Sequence, residues 1–275
     1  MTKKPAASKQ PTKRESGDAP KGERIAKIMV RAGLCSRRDA EKWIAAGRVS
    51  VNGEKLKTPA VVIGPDDQVV VDGEPLPQAD RARVWRFHKP KGLVTTHKDE
   101  KNRTTVFEVL PPEMPRVVSV GRLDITSEGL LLLTNDGEIA RTLEHPSRGW
   151  VRRYRARVYG RPDAKLLAPL QNGVTVEGVR YGPITATIDE TEGPAKSNVW
   201  ISISLSEGKN REVRKVLAHI GLTVTRLIRV SYGPFQLGKL EPGMIEEIPA
   251  QVVRQQLGAG APAGLAKKRK RESHT

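Results

Sequence analysis

Near the N-terminus the apolar residues recur with two different periods. Ile25, Ile28, Met29 and Ala32 fall at helical spacing, and Gly33 stops the run. Ser36 then stands three residues before Asp39 in the manner of a helix N-cap box, and Ala40, Trp43 and Ile44 form a second apolar face that ends at Gly47. The period drops to two in VSVNGEKL, around Asn52-Gly53, and again in DQVVVDGEPL, around Asp72-Gly73, so two short helices are predicted beside hairpin strands. Further on, short apolar runs alternate with Gly/Pro turns. The strand candidates are VWRFHKP, GLLLLTN, RRYRARVYG, SNVWISISLSEG and TRLIRVSYGP. One helix is predicted here, in REVRKVLAHIG, where Val213, Val216, Leu217 and Ile220 share a face and Gly221 ends it. This mixture reads as α+β with a largely antiparallel mixed sheet.

A chain of 275 residues can hold two folded units with tails. The expected boundaries are a basic disordered arm at 1–21, a first unit at 22–81, a second at 84–251, and a basic disordered tail at 256–275. The formal charge of +17, from 48 Lys+Arg against 31 Asp+Glu, calls for a polyanionic partner, nucleic acid or an anionic membrane. No apolar run approaches the ~20 residues of a membrane-spanning helix and no segment has a signal-peptide layout, so the expectation is a cytoplasmic protein without a membrane partner. The single cysteine, Cys35, excludes an internal disulfide, and His88, His97, His145 and His219 lack metal-ligand spacing, so no metal is expected. SEGKN lacks the spacing of a phosphate-binding loop, and neither a dinucleotide fingerprint nor a nucleophile elbow occurs. No small-molecule cofactor is expected.

Two features carry candidate chemistry. In VGRLDITSEGLLLLTND, Asp124 is either a solvated turn residue or a carboxylate held for reaction. Between Gly22 and Lys57 there are nine Lys/Arg against four Asp/Glu, and Arg24, Lys27, Arg31, Arg37, Arg38 and Lys42 fall off the apolar faces. Such a face is either merely solvated or suited to a folded phosphate backbone. The two small helices, SRR, and the RV-x-VNG hairpin that includes Arg48 resemble the S4 RNA-binding domain.

FHKPKGLVTT, VGRLDITSEGLLLLTNDGEIARTLEHPS, RRYRARVYG and EGKNREVRKVLAHIGLTVTRLIRVSYGPF, in that order after an S4-like unit, resemble the RsuA/RluB branch of the pseudouridine synthases. The resemblance spans roughly Gly22 to Ile248. It implies a pseudouridine-synthase catalytic domain that isomerises chosen uridines of ribosomal RNA without metal or cofactor. Asp124 is then the catalytic carboxylate, Tyr154 stacks on the uracil, and Arg214 pairs with the aspartate. Lys89, Lys91, Arg122, Lys209, Asn210 and Arg211 are expected RNA contacts, with Arg122 as well suited to phosphate binding as to catalysis. REVRKV departs from the family, which more often has a second Arg and a Met; Lys215 and Val216 keep the charge and the apolarity. The likeness is greatest to the RluB-like group, which implies a monomer acting on 23S rRNA or the assembling large subunit. Small-subunit rRNA or tRNA as substrate, and a non-catalytic S4-type ribosome-assembly protein, are the alternatives.

Overall fold

The computed structural model describes residues 22–189, 198–258 and 265. The chain divides into two units, Met1–Ala79 and Asp80–Thr275. The expected arm at 1–21, and the expected tail from 259 on apart from Leu265, lie outside the described residues.

The first unit contains β1 (Glu23–Arg24), α1 (Ile25–Arg31), α2 (Arg37–Ala45), β2 (Val49–Val51), β3 (Glu54–Lys55), β4 (Val62–Ile63), β5 (Val69–Val71) and β6 (Glu74–Pro75). The N-cap box forms as the sequence predicts: Ser36 Oγ accepts from the Asp39 N–H at 3.2 Å, and the Asp39 carboxylate accepts from the Ser36 N–H at 3.3 Å. Ile25, Met29, Ala40, Ile44 and Val49 are fully buried in one core. Asn52-Gly53 and Asp72-Gly73 all have positive φ, which matches the twist of the hairpin strands they join in the sheet β3-β2-β5-β6.

The second unit contains β7 (Val84–Lys89), β8 (Val118–Val120), β9 (Glu128–Thr134), α3 (Gly137–Glu144), β10 (Arg152–Tyr159), α4 (Ala164–Leu167), β11 (Val174–Val176), β12 (Val179–Tyr181), β13 (Ile184–Ile188), β14 (Asn198–Leu205), α5 (Glu212–His219), β15 (Thr223–Tyr232), β16 (Phe235–Gln236), β17 (Ile245–Ile248) and α6 (Ala250–Leu257). Its main sheet has the order β13-β14-β10-β15-β9-β7-β17, with β16 beside β15 and β8 beside β9. Every pairing in it is antiparallel except the short contact of β15 with β9, Ile228 opposite Glu128 and Arg229 opposite Gly129. Gly129 has φ +102, and a Cβ there would lie 2.3 Å from the Arg229 carbonyl oxygen, so only glycine permits this close approach.

The run Leu130–Leu133 is continuous rather than alternating because β9 is covered on both sides. Leu130 and Leu132 pack with Ile139 and Leu143 of α3 and Val253 of α6, whereas Leu131 and Leu133 pack with Trp85, Phe87 and Leu123. Three helices escape the sequence reading: α3, the single turn α4, and α6. In α3, Asp136 caps the N-terminus by accepting from the Glu138 and Ile139 N–H groups, and only two turns of apolar spacing follow. In α6, Val253 and Leu257 are buried together with Leu265. A boundary at 251 therefore cuts a helix of the core, and the residues around 256 belong to the packed unit.

Candidate active site

The splice of β9 to β15 brings two distant segments together beside a cavity of about 500 Å³. One wall is the loop Gly121–Ser127 that feeds β9. The other is formed by β10, β15 and the turn before α5.

The loop is tied down at almost every peptide. The Gly121 N–H donates to Glu144 Oε1 at 2.6 Å. Five consecutive carbonyls, 123 to 127, each have a donor. Leu123 accepts from the Thr95 hydroxyl at 2.8 Å, Asp124 from Lys89 Nζ at 3.2 Å and the Ser127 N–H at 3.0 Å, and Ile125 from the Gly92 N–H at 2.8 Å. Thr126 accepts from Arg214 Nη2 at 2.9 Å and Ser127 from Lys89 Nζ at 2.9 Å. With its backbone held, the loop leaves the Asp124 side chain on the cavity wall, about one third exposed (34%). Fixing a group through its supporting shell in this way is how reactive geometry is preorganised.

Lys89 corrects an expectation: it is fully buried, its ammonium donates to the carbonyls of Pro90, Asp124 and Ser127, and no phosphate can reach it. Burial pushes its pKa down to about 8, against the opposing pull of Asp124 and Glu128. Arg214 also stands elsewhere than expected. It donates to the Thr126 and Val224 carbonyls, bracing the loop against β15, and does not line the cavity. Its pKa is lowered by burial and by Arg211, while Asp124 raises it. The guanidinium nearest the Asp124 carboxylate belongs to Arg211, with Nη1 3.9 Å from Oδ2. Arg211 has φ +52, a left-handed conformation uncommon for a non-glycine residue, just before α5.

On the opposite wall Tyr154 of β10 is half-buried and packs against the apolar clusters on either side of it. The β10–β15 register slips between Arg153 and Tyr154, so that Tyr154 faces Arg229; bulges of this kind re-aim side chains beside functional sites.

A sequence model described as RNA pseudouridylate synthase matches residues 83–219, and one described as S4 domain matches residues 23–69. An uncharacterised RNA pseudouridine synthase of Rickettsia felis is 44% identical over 233 residues, which is 85% of this chain and all of that protein. The chain belongs to the pseudouridine synthase family. Within it the RsuA/RluB type is supported by a protein named ribosomal large subunit pseudouridine synthase B, of Escherichia coli O6:H1, 41% identical over 223 residues, 79% of this chain and 76% of that one. A crystal structure of a pseudouridylate synthase has the same fold, with a TM-score of 0.59 and 23% identity over 85% of this chain and 99% of that one.

In this synthase the remaining expected RNA contacts are distributed unevenly. Arg122, Lys209, Asn210 and Arg211 are exposed and line the cavity, while Lys91 is exposed outside its wall. Lys209 is held by Glu207. In the S4 domain Arg24, Arg37, Arg38 and Lys42 are exposed, Lys27 and Arg31 both pair with Glu23, and Arg48 pairs with Asp72 while lying 4.4 Å from the Trp43 ring.

Tyr232, Arg152 and Arg229 also line the cavity and were not singled out from sequence. Tyr232 donates its hydroxyl to the Leu143 carbonyl at 2.9 Å, accepts from Arg152 Nη2 at 3.3 Å, and has its pKa raised by burial. Arg152 stands 4.8 Å from the Tyr232 ring. Arg229, only 3% exposed, donates Nε to the Leu130 carbonyl at 2.8 Å, and its Nη2 has no hydrogen-bond partner among the described residues. The signal available for Arg229 was a charged residue inside the apolar strand RLIRVSY.

Proposed function

We propose that this enzyme converts uridine to pseudouridine in large-subunit 23S rRNA, as a cytoplasmic monomer, with Asp124 as the reacting carboxylate and Tyr154 as the stacking ring. The observation that carries the site assignment is the Asp124 loop, fixed at five successive carbonyls on the wall of a nucleotide-sized cavity opposite an aromatic side chain. The choice of RNA is supported by the likeness to a synthase named for the large ribosomal subunit.

The target uridine leaves its stack, at a cost of a few kcal/mol, and its uracil lies against Tyr154. Asp124 attacks ribose C1′ or removes a ribose proton; either route breaks the C1′–N1 bond. The base turns, C1′ joins C5, the C5 proton departs, and N1 ends with a proton. The isomerisation is redox-neutral and transfers no group. Arg211 supplies a counter-charge beside the carboxylate, and Arg214 braces the loop.

The test is to map pseudouridines in 23S rRNA, 16S rRNA and tRNA from a deletion strain carrying wild-type protein, Asp124→Asn, or neither. Loss of a 23S pseudouridine restored by wild type alone is the expected result. Loss confined to 16S rRNA or tRNA overturns the choice of substrate, and restoration by Asp124→Asn overturns the role of Asp124.

A further inference from the structure

Strand β10 presents two different rows of side chains. Arg152 and Tyr154 line the cavity and Ala156 and Val158 enter the core, whereas Arg153, Arg155, Arg157 and Tyr159 are all exposed on the opposite face. Its neighbour β14 repeats the division. Val199, Ile201, Ile203 and Leu205 are buried, and Asn198, Trp200, Ser202 and Ser204 point outward. The register sets Arg153 beside Ser204, Arg155 beside Ser202 and Arg157 beside Trp200. Across the other flank Arg157 stands opposite Arg226 of β15.

Four guanidiniums therefore share one face. Arg155 is compensated by Asp189, Nε to Oδ2 at 2.9 Å, and lies 4.9 Å from the Trp200 ring. Arg226 is compensated by Glu128 through two bonds, at 3.0 and 2.8 Å. Arg153 and Arg157 have no carboxylate partner among the described residues, and Arg157 faces a like charge directly, which disfavours the free protein. Alternate residues of a strand stand about 7 Å apart, so the stripe repeats regularly, and the Ser204, Thr185 and Thr187 positions beside it offer hydroxyl donors, whereas the Ser202 hydroxyl donates to Asp189 at 2.6 Å. Guanidiniums and hydroxyls arranged along an open sheet suit phosphate oxygens.

The geometry points to a second RNA-docking face on the side of the sheet away from the cavity, where Arg153 and Arg157 take phosphates from a segment of the substrate RNA other than the one entering the cavity. A partner with carboxylates would match the charge, but a repeating backbone of phosphates matches the stripe as well. This face rests on the RNA-modifying activity, not on which RNA is the target or on the role of Asp124.

The test uses the full chain carrying Arg153→Gln with Arg157→Gln, and the same pair changed to Lys. Affinity for transcripts of 23S and 16S rRNA is measured over a range of salt. The Gln pair should flatten the slope of log affinity against log salt by about 1 to 2 and weaken binding on the order of tenfold near 0.1 M salt, on both RNAs. The Lys pair should keep most of the wild-type slope, and neither should lower the melting temperature. Wild-type slope and affinity for the Gln pair would overturn the proposal. So would a Gln pair that binds both RNAs normally but loses retention of poly-glutamate, which would make the face a surface for an acidic protein.

Discussion

Replacing Lys89 by methionine sets two effects against each other. The variant leaves the Pro90 and Ser127 carbonyls without their donor, at about 1–3 kcal/mol each. The Asp124 carbonyl keeps the Ser127 N–H. In return the variant is relieved of burying an ammonium, whose fall from 10.5 to about 8 corresponds to roughly 3 kcal/mol. Near pH 7 these nearly cancel, so stability changes little. The loop, however, has lost one of its anchors, and a displacement of the Asp124 side chain by about 1 Å should lower turnover on the order of a hundredfold. The pH dependence separates the terms. Between about pH 8 and 10.5 the folded lysine is neutral while the unfolded one is still protonated, so the unfolded state binds more protons and wild-type stability rises with pH. The methionine protein lacks this contribution. Urea unfolding of both proteins from pH 7 to 11 should therefore show wild type gaining about 3 kcal/mol on the variant, because all other titrations cancel in the difference. A gap that stays flat across that range would refute a buried, depressed Lys89.

Asp124→Asn should leave the melting temperature and RNA affinity nearly unchanged while abolishing tritium release from C5-labelled uridine in rRNA; activity within tenfold of wild type would remove Asp124 from the chemistry. Tyr154→Phe keeps the ring and should bind RNA within about 1 kcal/mol of wild type, whereas Tyr154→Leu should lower both affinity and single-turnover rate. A Leu protein that is destabilised yet fully active would make Tyr154 a packing residue only. Gly129→Ala drives a methyl into the Arg229 carbonyl and forces a left-handed alanine, so calorimetry should find a loss on the order of 3 kcal/mol or more, and an unchanged melting temperature would count against the close splice.

The elements legible in the sequence are those coded locally. Ser36 and Asp39 announce a helix start, Asn52-Gly53 and Asp72-Gly73 announce hairpins, and each signal lies within a few residues of its effect. The eight-residue α3 was missed because Gly137 at its start weakens a two-turn pattern that only its packing on Leu130 and Leu132 makes stable. At the site, Asp124 stood out by its motif, but the fate of the cations around it did not. Lys89 reads as a surface residue until the β7–β9 register sets it opposite Gly129, beneath the loop. The family resemblance draws attention to Arg214, whereas the left-handed turn at Arg211 is a tertiary choice with no pattern in the sequence.

The parallel splice of β9 to β15 also orders events in time. It joins Glu128 to Ile228, so it cannot form until the chain between them has been synthesised and its ends have met, and closing so long a loop carries an entropic cost that local hairpins avoid. The longest strand pairing of the S4 domain, Glu23 with Ile63, spans about forty residues, far fewer than separate Glu128 from Ile228. During synthesis the S4 helices and hairpins emerge first and fold first, so the protein can grip RNA before it can modify it. The candidate site is complete only when the strand carrying Arg229 docks against the glycine that was left bare to receive it. Pulse-labelled amide exchange during refolding should accordingly protect Ile44 well before Arg229.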